Sequence, residues 1–309
     1  MSTQTQPLLA AAPWPQALLA PQVGLVAATL FWSGNFVVGR AIRGEIEPLA
    51  LNFWRWAIAA LVLAPFVHRS FVQQWPLFRR HWLYVALLGL TGLAIPHTCS
   101  YYAVQTTTPV NALLILIMMP VFVALGAWRF LGQRIAALQW AGIALALVGA
   151  ASILVRWDPS VLMHLRFNRG DLWMLPAVVC SSTHTLLLKK TPAGVAQGPL
   201  LLASMLAALV AMAPLVAWTG TRHLAAVAGL WPAALYIGIF ASAAAFFLWN
   251  RGVVRIGPER AAPLMYMMPV YASLLATVFL GEAVQPYQLA GGALVVVGLW
   301  LSRSRRSGR

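Results

Sequence analysis

The chain has 309 residues, 61% hydrophobic and 9% charged, with a net charge of +15; soluble domains carry about 25% charged residues. So few charges cannot cover the surface of a water-soluble globule. The Arg and Lys residues fall between apolar runs rather than along one face, which excludes a nucleic-acid-binding reading, and Cys99 and Cys180 each sit inside an apolar run, which excludes a disulfide framework.

Residues 1–21 carry no Lys or Arg and are broken by Pro7, Pro13, Pro15 and Pro21. They read as a disordered cytoplasmic tail rather than a cleaved signal peptide. Ten apolar stretches follow, at 22–42, 49–67, 82–103, 108–130, 136–155, 171–189, 198–218, 230–250, 258–280 and 285–302. A helix needs about 20 apolar residues to cross a bilayer, so the fold class is an all-α polytopic membrane protein with ten transmembrane helices. The linker at 156–170 carries Val161, Leu162, Leu165 and Phe167, which can lie flat on the membrane surface. Residues 303–309 form a basic tail.

Orientation follows from the basic residues. With both termini inside, the inner segments hold 14 Arg and Lys, Arg69, Arg79, Arg80, Lys189, Lys190 and Arg255 among them, and the outer segments hold 6: Arg40, Arg43, Arg156, Arg166, Arg169 and Arg222. Basic residues stay in the cytoplasm, so the termini are expected there, in an inner membrane.

The chain also repeats itself. Pro109 to Gly149 recurs at Pro258 to Gly298 without a gap: both copies hold Met-Met-Pro-Val (Met118 to Val121, Met267 to Val270) and Phe-Leu-Gly (Phe130 to Gly132, Phe279 to Gly281). The same offset pairs Ser33 with Ser182, Trp82 with Trp231 and Gly89 with Gly238. Spans 1–5 (22–155) are therefore repeated as spans 6–10 (171–302). Five is odd, so the second copy enters the membrane the other way up. Such inverted repeats build secondary transporters, whose near-equivalent halves exchange conformations around a midplane site.

Several motifs strengthen that reading. Span 1 carries Phe31-Trp32-Ser33-Gly34-Asn35-Phe36, span 2 carries Arg55-Trp56 before a small apolar run, and each half has Met-Met-Pro, then Leu-Gly, Gln and a closing Gly. Together these resemble the drug/metabolite transporter superfamily of the EamA type, most closely its YddG-type amino acid exporters. The resemblance implies that spans 1–4 and 6–9 surround a central cavity, that spans 5 and 10 are outer supports, and that the substrate is a small neutral metabolite such as an amino acid, aromatic ones included. In the first half Gln133 stands where such repeats usually carry Glu, as the second half does at Glu282.

Polar groups inside a membrane usually face a partner or water, which selects the candidate substrate-binding residues Trp32, Asn35, His97, Tyr101, His184, Trp249 and Tyr266. Trp32 and Asn35 share a face of span 1. His97, Ser100 and Tyr101 share one in span 3, as do Ser181, His184 and Thr185 in span 6. Each has a plain alternative: the histidines and Asn35 satisfied by neighbouring helices, the aromatics in interface belts. Pro120 and Pro269 kink equivalent spans and are candidate hinges. Arg55 either holds a carboxylate, snorkels outward, or pairs with Glu45 or Glu47. Asp171 fits the N-cap of span 6. No phosphate loop, HExxH, GxSxG or cysteine cluster is present, so neither an enzyme nor a cofactor or metal is expected. Other carriers of the same fold, for nucleosides or drugs, and an intramembrane enzyme are the remaining alternatives. A monomer in the lipid bilayer is plausible.

Overall fold

The computed structural model describes residues 21–42, 44–164, 168–218, 222–280 and 283–303. The expected tails (apart from Pro21 and Arg303), Leu165 and Phe167 of the linker, and the Gly281-Glu282 turn lie outside the described residues.

Among the described residues all regular structure is helical, in ten successive spans with short surface helices between some of them. Span 1 is Pro21–Ala41 and span 2 is Pro48–Arg80. Span 3 joins Trp82–Gly89, a π-helical stretch Leu90–Ala94, and Ile95–Thr106. Span 4 is Pro109–Leu116 and Met119–Leu131, and span 5 is Ala137–Leu154. Span 6 is Arg169–Leu188 and span 7 is Gln197–Trp218. Span 8 joins Trp231–Tyr236, a π stretch Ile237–Ala244, and Ala245–Ile256. Span 9 joins Pro258–Ala261, a 3-10 turn Ala262–Tyr266, and Met267–Leu280. Span 10 is Pro286–Ser302.

Six of these spans are long and apolar enough to cross a membrane, and span 10 is a shorter apolar helix. Leu61, Phe66, Val210, Val278 and Trp300 point outward and are largely exposed, the apolar exterior that a lipid-embedded bundle presents. The protein is a multi-pass membrane protein.

Local chemistry sets the helix ends. Proline opens spans 2, 4 and 10, where its missing N–H costs least. Glu47 caps span 2 by accepting from the Ala50 N–H at 2.8 Å. Gly132, at φ 64°, closes span 4 in the left-handed conformation. Span 2 corrects the sequence reading: it continues past residue 67 to Arg80, with Pro65 and Pro76 inside it. The hydropathy of its last turns falls because His68, Arg69, Gln73 and Gln74 leave the apolar layer, not because the helix stops.

The principal helix seams cross between the halves: span 1 on 8, 2 on 7 and 8, 3 on 6 and 7, 4 on 6 and 9, 1 on 9, and 5 on 10. Exchanging each span with its counterpart five later returns the same set. Seams 1·8 and 3·6 swap, as do 2·8 and 3·7, and 4·6 and 1·9, while 2·7, 4·9 and 5·10 map onto themselves. That is a two-fold relation. Because each half has five spans, its axis lies in the membrane plane.

Glycines show the relation at atomic scale. A β carbon on Gly142 would lie 2.6 Å from the Gly298 carbonyl oxygen, and one on Gly149 would lie 2.7 Å from that of Gly291. The repeat offset converts the first pair into the second. Small residues let two backbones touch where lipid gives no hydrophobic drive. Spans 5 and 10 lie against each other, span 5 also against spans 4 and 9 and span 10 against span 9.

Toward the termini, Leu25, Ala28, Phe78, Leu88, Leu188, Leu200 and Val253 belong to one cluster that joins spans 1, 2, 3, 6, 7 and 8. Toward the far side, Ile42, Leu51 and Ile237 form one cluster and Ala103, Ala112 and Met174 another, while Leu49, Met212 and Val216 belong to a large cluster that runs inward through Trp56, Met205 and Phe246.

Candidate functional site: a polar aromatic centre

The two π stretches build the site. A π turn takes carbonyls off the regular helical ladder, and side chains of neighbouring spans take them up. In span 3 the Leu93 carbonyl accepts from Trp56 Nε1 at 3.0 Å and Asn52 Nδ2 at 3.2 Å, and the Ala94 carbonyl accepts from Asn52 at 2.9 Å. In span 8 the Ala241 carbonyl accepts from Trp32 Nε1 at 3.0 Å and Arg55 Nη2 at 3.3 Å. A tryptophan from the adjacent helix thus reads a freed carbonyl in each half.

These bonds aim the rings at one another. The Phe246 ring centre lies 4.9 Å from Trp56, 5.3 Å from Trp32, 5.6 Å from His97 and 6.1 Å from His184. Trp32 lies 5.1 Å from Trp249, and Trp56 5.7 Å from His97. Edge-on and tilted aromatic pairs contribute about 0.5–1.5 kcal/mol each beyond their buried area. Phe246 and Trp249 are buried, whereas Trp32, Asn35, His97 and Tyr101 keep partial exposure. The Asn35 Oδ1 and His97 Nε2 atoms are buried without a hydrogen-bond partner.

His184 is held at both ring nitrogens, Nδ1 at 3.2 Å from the Leu88 carbonyl and Nε2 at 3.4 Å from Asn250 Oδ1. A carbonyl only accepts, so Nδ1 carries the proton. In a neutral ring Nε2 then accepts, and the Asn250 amide turns over so that its NH2 donates. The ring lies directly on Gly92, where a β carbon would fall 2.1 Å from Nδ1. The repeat offset places His184 opposite Asn35, Asn250 opposite Tyr101, and Phe246 opposite His97. The pair His184–Asn250 is bonded. Its counterpart is not: Tyr101 instead takes Arg55.

Arg55 is 1% exposed and neither snorkels nor meets Glu45 or Glu47. Its Nε donates to Ser242 Oγ at 2.8 Å, Nη1 to Tyr101 Oη at 3.0 Å and Nη2 to the Ala241 carbonyl. Glu47 is engaged as the span 2 cap and accepts from the Tyr102 hydroxyl.

Among the sequence candidates, the structure brings Trp32, His97, His184 and Trp249 into one ring cluster, with Tyr101 joined through Arg55. Tyr266 is 0% exposed in the main core, so it does not face lipid; its hydroxyl is unpartnered and it makes no ring contact with the cluster. Phe246, Trp56, Asn52 and Ser242 join this centre without being among the sequence candidates, although Phe246 lies one turn before Trp249 and the repeat offset sets it opposite His97. Pro120 stands just after a break in span 4, at Ile117–Met118, and Pro269 just after the change from 3-10 to α-helix at Tyr266–Met267. Each lacks the N–H that would bond back across that point.

Asp171 corrects another expectation. The N-cap of span 6 is Asn168, and Asp171 is its partner in a capping box. The Asp171 carboxylate accepts from the Asn168 N–H at 2.9 Å, the Asn111 amide at 3.2 Å and the Thr107 hydroxyl. Asp171→Ala is expected to cost roughly 2–3 kcal/mol, since it removes the acceptor shared by a buried hydroxyl and a buried amide as well as the cap. A melting temperature equal to that of the parent protein would refute this. Beside Asp171, a cavity of about 340 Å3 opens between spans 4 and 6, lined also by Asn111, Leu114, Met118, Phe122 and Leu175. It shares no lining residue with the aromatic centre.

The sequence pattern of the EamA-like transporter family matches this chain twice, over residues 21–155 and 168–304. The chain belongs to the EamA-like transporter family. It is therefore a transporter and not an enzyme. This EamA-like chain is 29% identical over 303 residues to a probable terminal-alkyne amino-acid exporter of Streptantibioticus cattleyicolor, covering 92% of this chain and 94% of that one. It is 27% identical to a probable amino-acid metabolite efflux pump of Salmonella typhimurium, covering 90% and 94%. It is 26% identical to a probable biotin transporter of Pseudomonas aeruginosa, covering 91% and 97%. A solved crystal structure shares the fold with a TM-score of 0.75 at 22% identity, covering 92% of this chain and 96% of the other.

Proposed function

We propose that this EamA-like transporter exports small neutral metabolites, above all amino acids, aromatic ones included, by alternating access around the centre formed by Trp32, Asn35, His97, Tyr101, His184 and Trp249. The termini lie in the cytoplasm and the membrane is the bacterial-type inner one, in keeping with fourteen inner against six outer basic residues. The observation that carries the reading is the ring cluster around Phe246 with unpartnered polar atoms on its edge. Aromatic walls accept an apolar side chain, and free hydrogen-bonding groups fix the polar end.

Residues 22–155 and 171–302 act as the two rocking repeats, and Pro120 and Pro269 as their hinges. Relatives named as amino-acid exporters and efflux pumps support the substrate class. A second reading, a same-fold carrier for another small-molecule class, has a relative named as a probable biotin transporter in its favour. Liposomes holding the purified protein and preloaded with labelled neutral amino acids are expected to show protein-dependent efflux, fastest for aromatic ones. Absence of flux for every amino acid tested would overturn the substrate class.

A further inference from the structure

Among the described residues Arg55 is a buried cation with only neutral partners. Its three hydrogen bonds go to a serine hydroxyl, a tyrosine hydroxyl and a backbone carbonyl, and no Asp or Glu among the described residues forms an ion pair with it. A guanidinium has five N–H donors, so one N–H remains on each of Nη1 and Nη2. A desolvated charge with neutral acceptors alone is costly, and the cost falls when an anion completes it.

The surroundings fix the orientation of this donor pair. Ser242 and Ala241 of span 8 and Tyr101 of span 3 hold the guanidinium from two sides, and its Cζ lies 5.1 Å from the Trp56 ring centre. Trp32 donates to the same Ala241 carbonyl as Arg55, so the cation borders the aromatic cluster directly. Asn35, one helical turn from Trp32, adds a buried oxygen with no partner, an acceptor suited to an ammonium group. Span 2 enters at Pro48, which places Arg55 about 10 Å along the helix from its start.

We propose that Arg55 binds the carboxylate of the transported solute, with the solute's apolar group against Trp32, Trp56 and Phe246. This rests on the transport reading above and adds to it the anionic group that the solute must carry. A purely structural Arg55 would tie spans 2, 3 and 8 together and be indifferent to the charge of the cargo.

The test compares pairs of probes that differ only in the carboxylate: L-phenylalanine with L-phenylalaninamide, L-leucine with L-leucinamide, and 3-phenylpropionate and biotin as carboxylates without an α-ammonium. Counterflow and tryptophan-fluorescence binding are measured with the parent protein, Arg55→Lys and Arg55→Gln, each checked for its melting temperature. In the parent, acid is expected to be preferred over amide by about thirtyfold. Arg55→Lys retains part of that preference, and Arg55→Gln brings the ratio close to one. If Arg55→Gln does not fold, the parent ratio and Arg55→Lys decide. Equal handling of acid and amide by the parent, an unchanged ratio in a folded Arg55→Gln or Arg55→Lys, or no response to any carboxylate probe overturns the proposal. Arg55-dependent binding of 3-phenylpropionate or biotin without amino-acid flux leaves the carboxylate site standing and removes the amino-acid reading. Amino-acid flux with an unchanged ratio does the reverse.

Discussion

Gly142→Leu is expected to lower the melting temperature of the purified protein by about 6–12 °C. The β carbon alone would lie 2.5 Å from the Ser302 backbone nitrogen and 2.6 Å from the Gly298 carbonyl oxygen, so spans 5 and 10 have to separate before any leucine rotamer fits. Overpacking of this kind costs about 3 kcal/mol or more when backbone opposes it, and about 2–4 °C accompanies each kcal/mol in a chain of this order of size. Gly291→Leu, at the equivalent position in the second half, is expected to behave alike, because its β carbon meets the Gly149 carbonyl at 2.9 Å. Gly292 is the internal control. A β carbon there finds its nearest neighbours, on Val270, only at 3.8 Å, so Gly292→Ala should melt with the parent. A Gly142→Leu protein melting within about 2 °C of the parent would contradict the close crossing.

The second large effect is expected at the bond between His184 and Asn250. This pair lies toward the termini, where one core cluster seals spans 1, 2, 3, 6, 7 and 8 together. Among the described residues its counterpart on the far side, Asn35 and Tyr101, is unbonded, and Tyr101 takes Arg55 instead. The His184–Asn250 bond thus ties span 6 to span 8 on the terminus side. Asn250→Ala removes the bond without changing the imidazole, and one buried hydrogen bond is worth about 1 kcal/mol, or roughly fivefold in the balance between two conformations. In a background with Cys99 and Cys180 replaced by alanine, a cysteine introduced by Ala28→Cys reports the opening. Its labelling by a membrane-impermeant maleimide added on the terminus side should rise about fivefold with Asn250→Ala. Gly92→Val, which drives its side chain into the His184 ring, should raise it at least as much. Unchanged labelling in both variants would show that the pair does not hold the seal.

The scaffold was legible in the sequence to an unusual depth because duplication writes tertiary information into a single chain. The offset that aligned Met-Met-Pro-Val also predicted opposed halves, and the glycine pairs of spans 5 and 10 obey it. What stayed hidden has tertiary causes. The π stretches at Leu90–Ala94 and Ile237–Ala244 sit where Gly89 and Gly238 bring backbone against spans 7 and 2, and no local periodicity announces that approach. The continuation of span 2 to Arg80 was hidden because hydropathy marks the edge of the lipid and not the end of a helix. The partners of Arg55 were hidden because Ser242 and Tyr101 lie on spans far from it in sequence. Asp171 was placed in the right turn but the wrong role, since Asn168 three residues earlier has the extended backbone that a cap requires.

The arrangement of seams bears on how the protein is made. Spans 1 to 5 find their main packing surfaces on spans 6 to 10. During synthesis the first half therefore enters the bilayer before most of its partners exist. Arg55 must wait for Ser242 and the Ala241 carbonyl, Trp32 for that same carbonyl, and Gly142 for Gly298. The first half is a set of inserted helices rather than a finished subunit, and closure of the structure is a late event that needs the last span. The two repeats behave as two partners of one obligate dimer that happen to share a peptide chain, and a stop in translation before span 10 leaves span 5 with its glycine face bare to lipid.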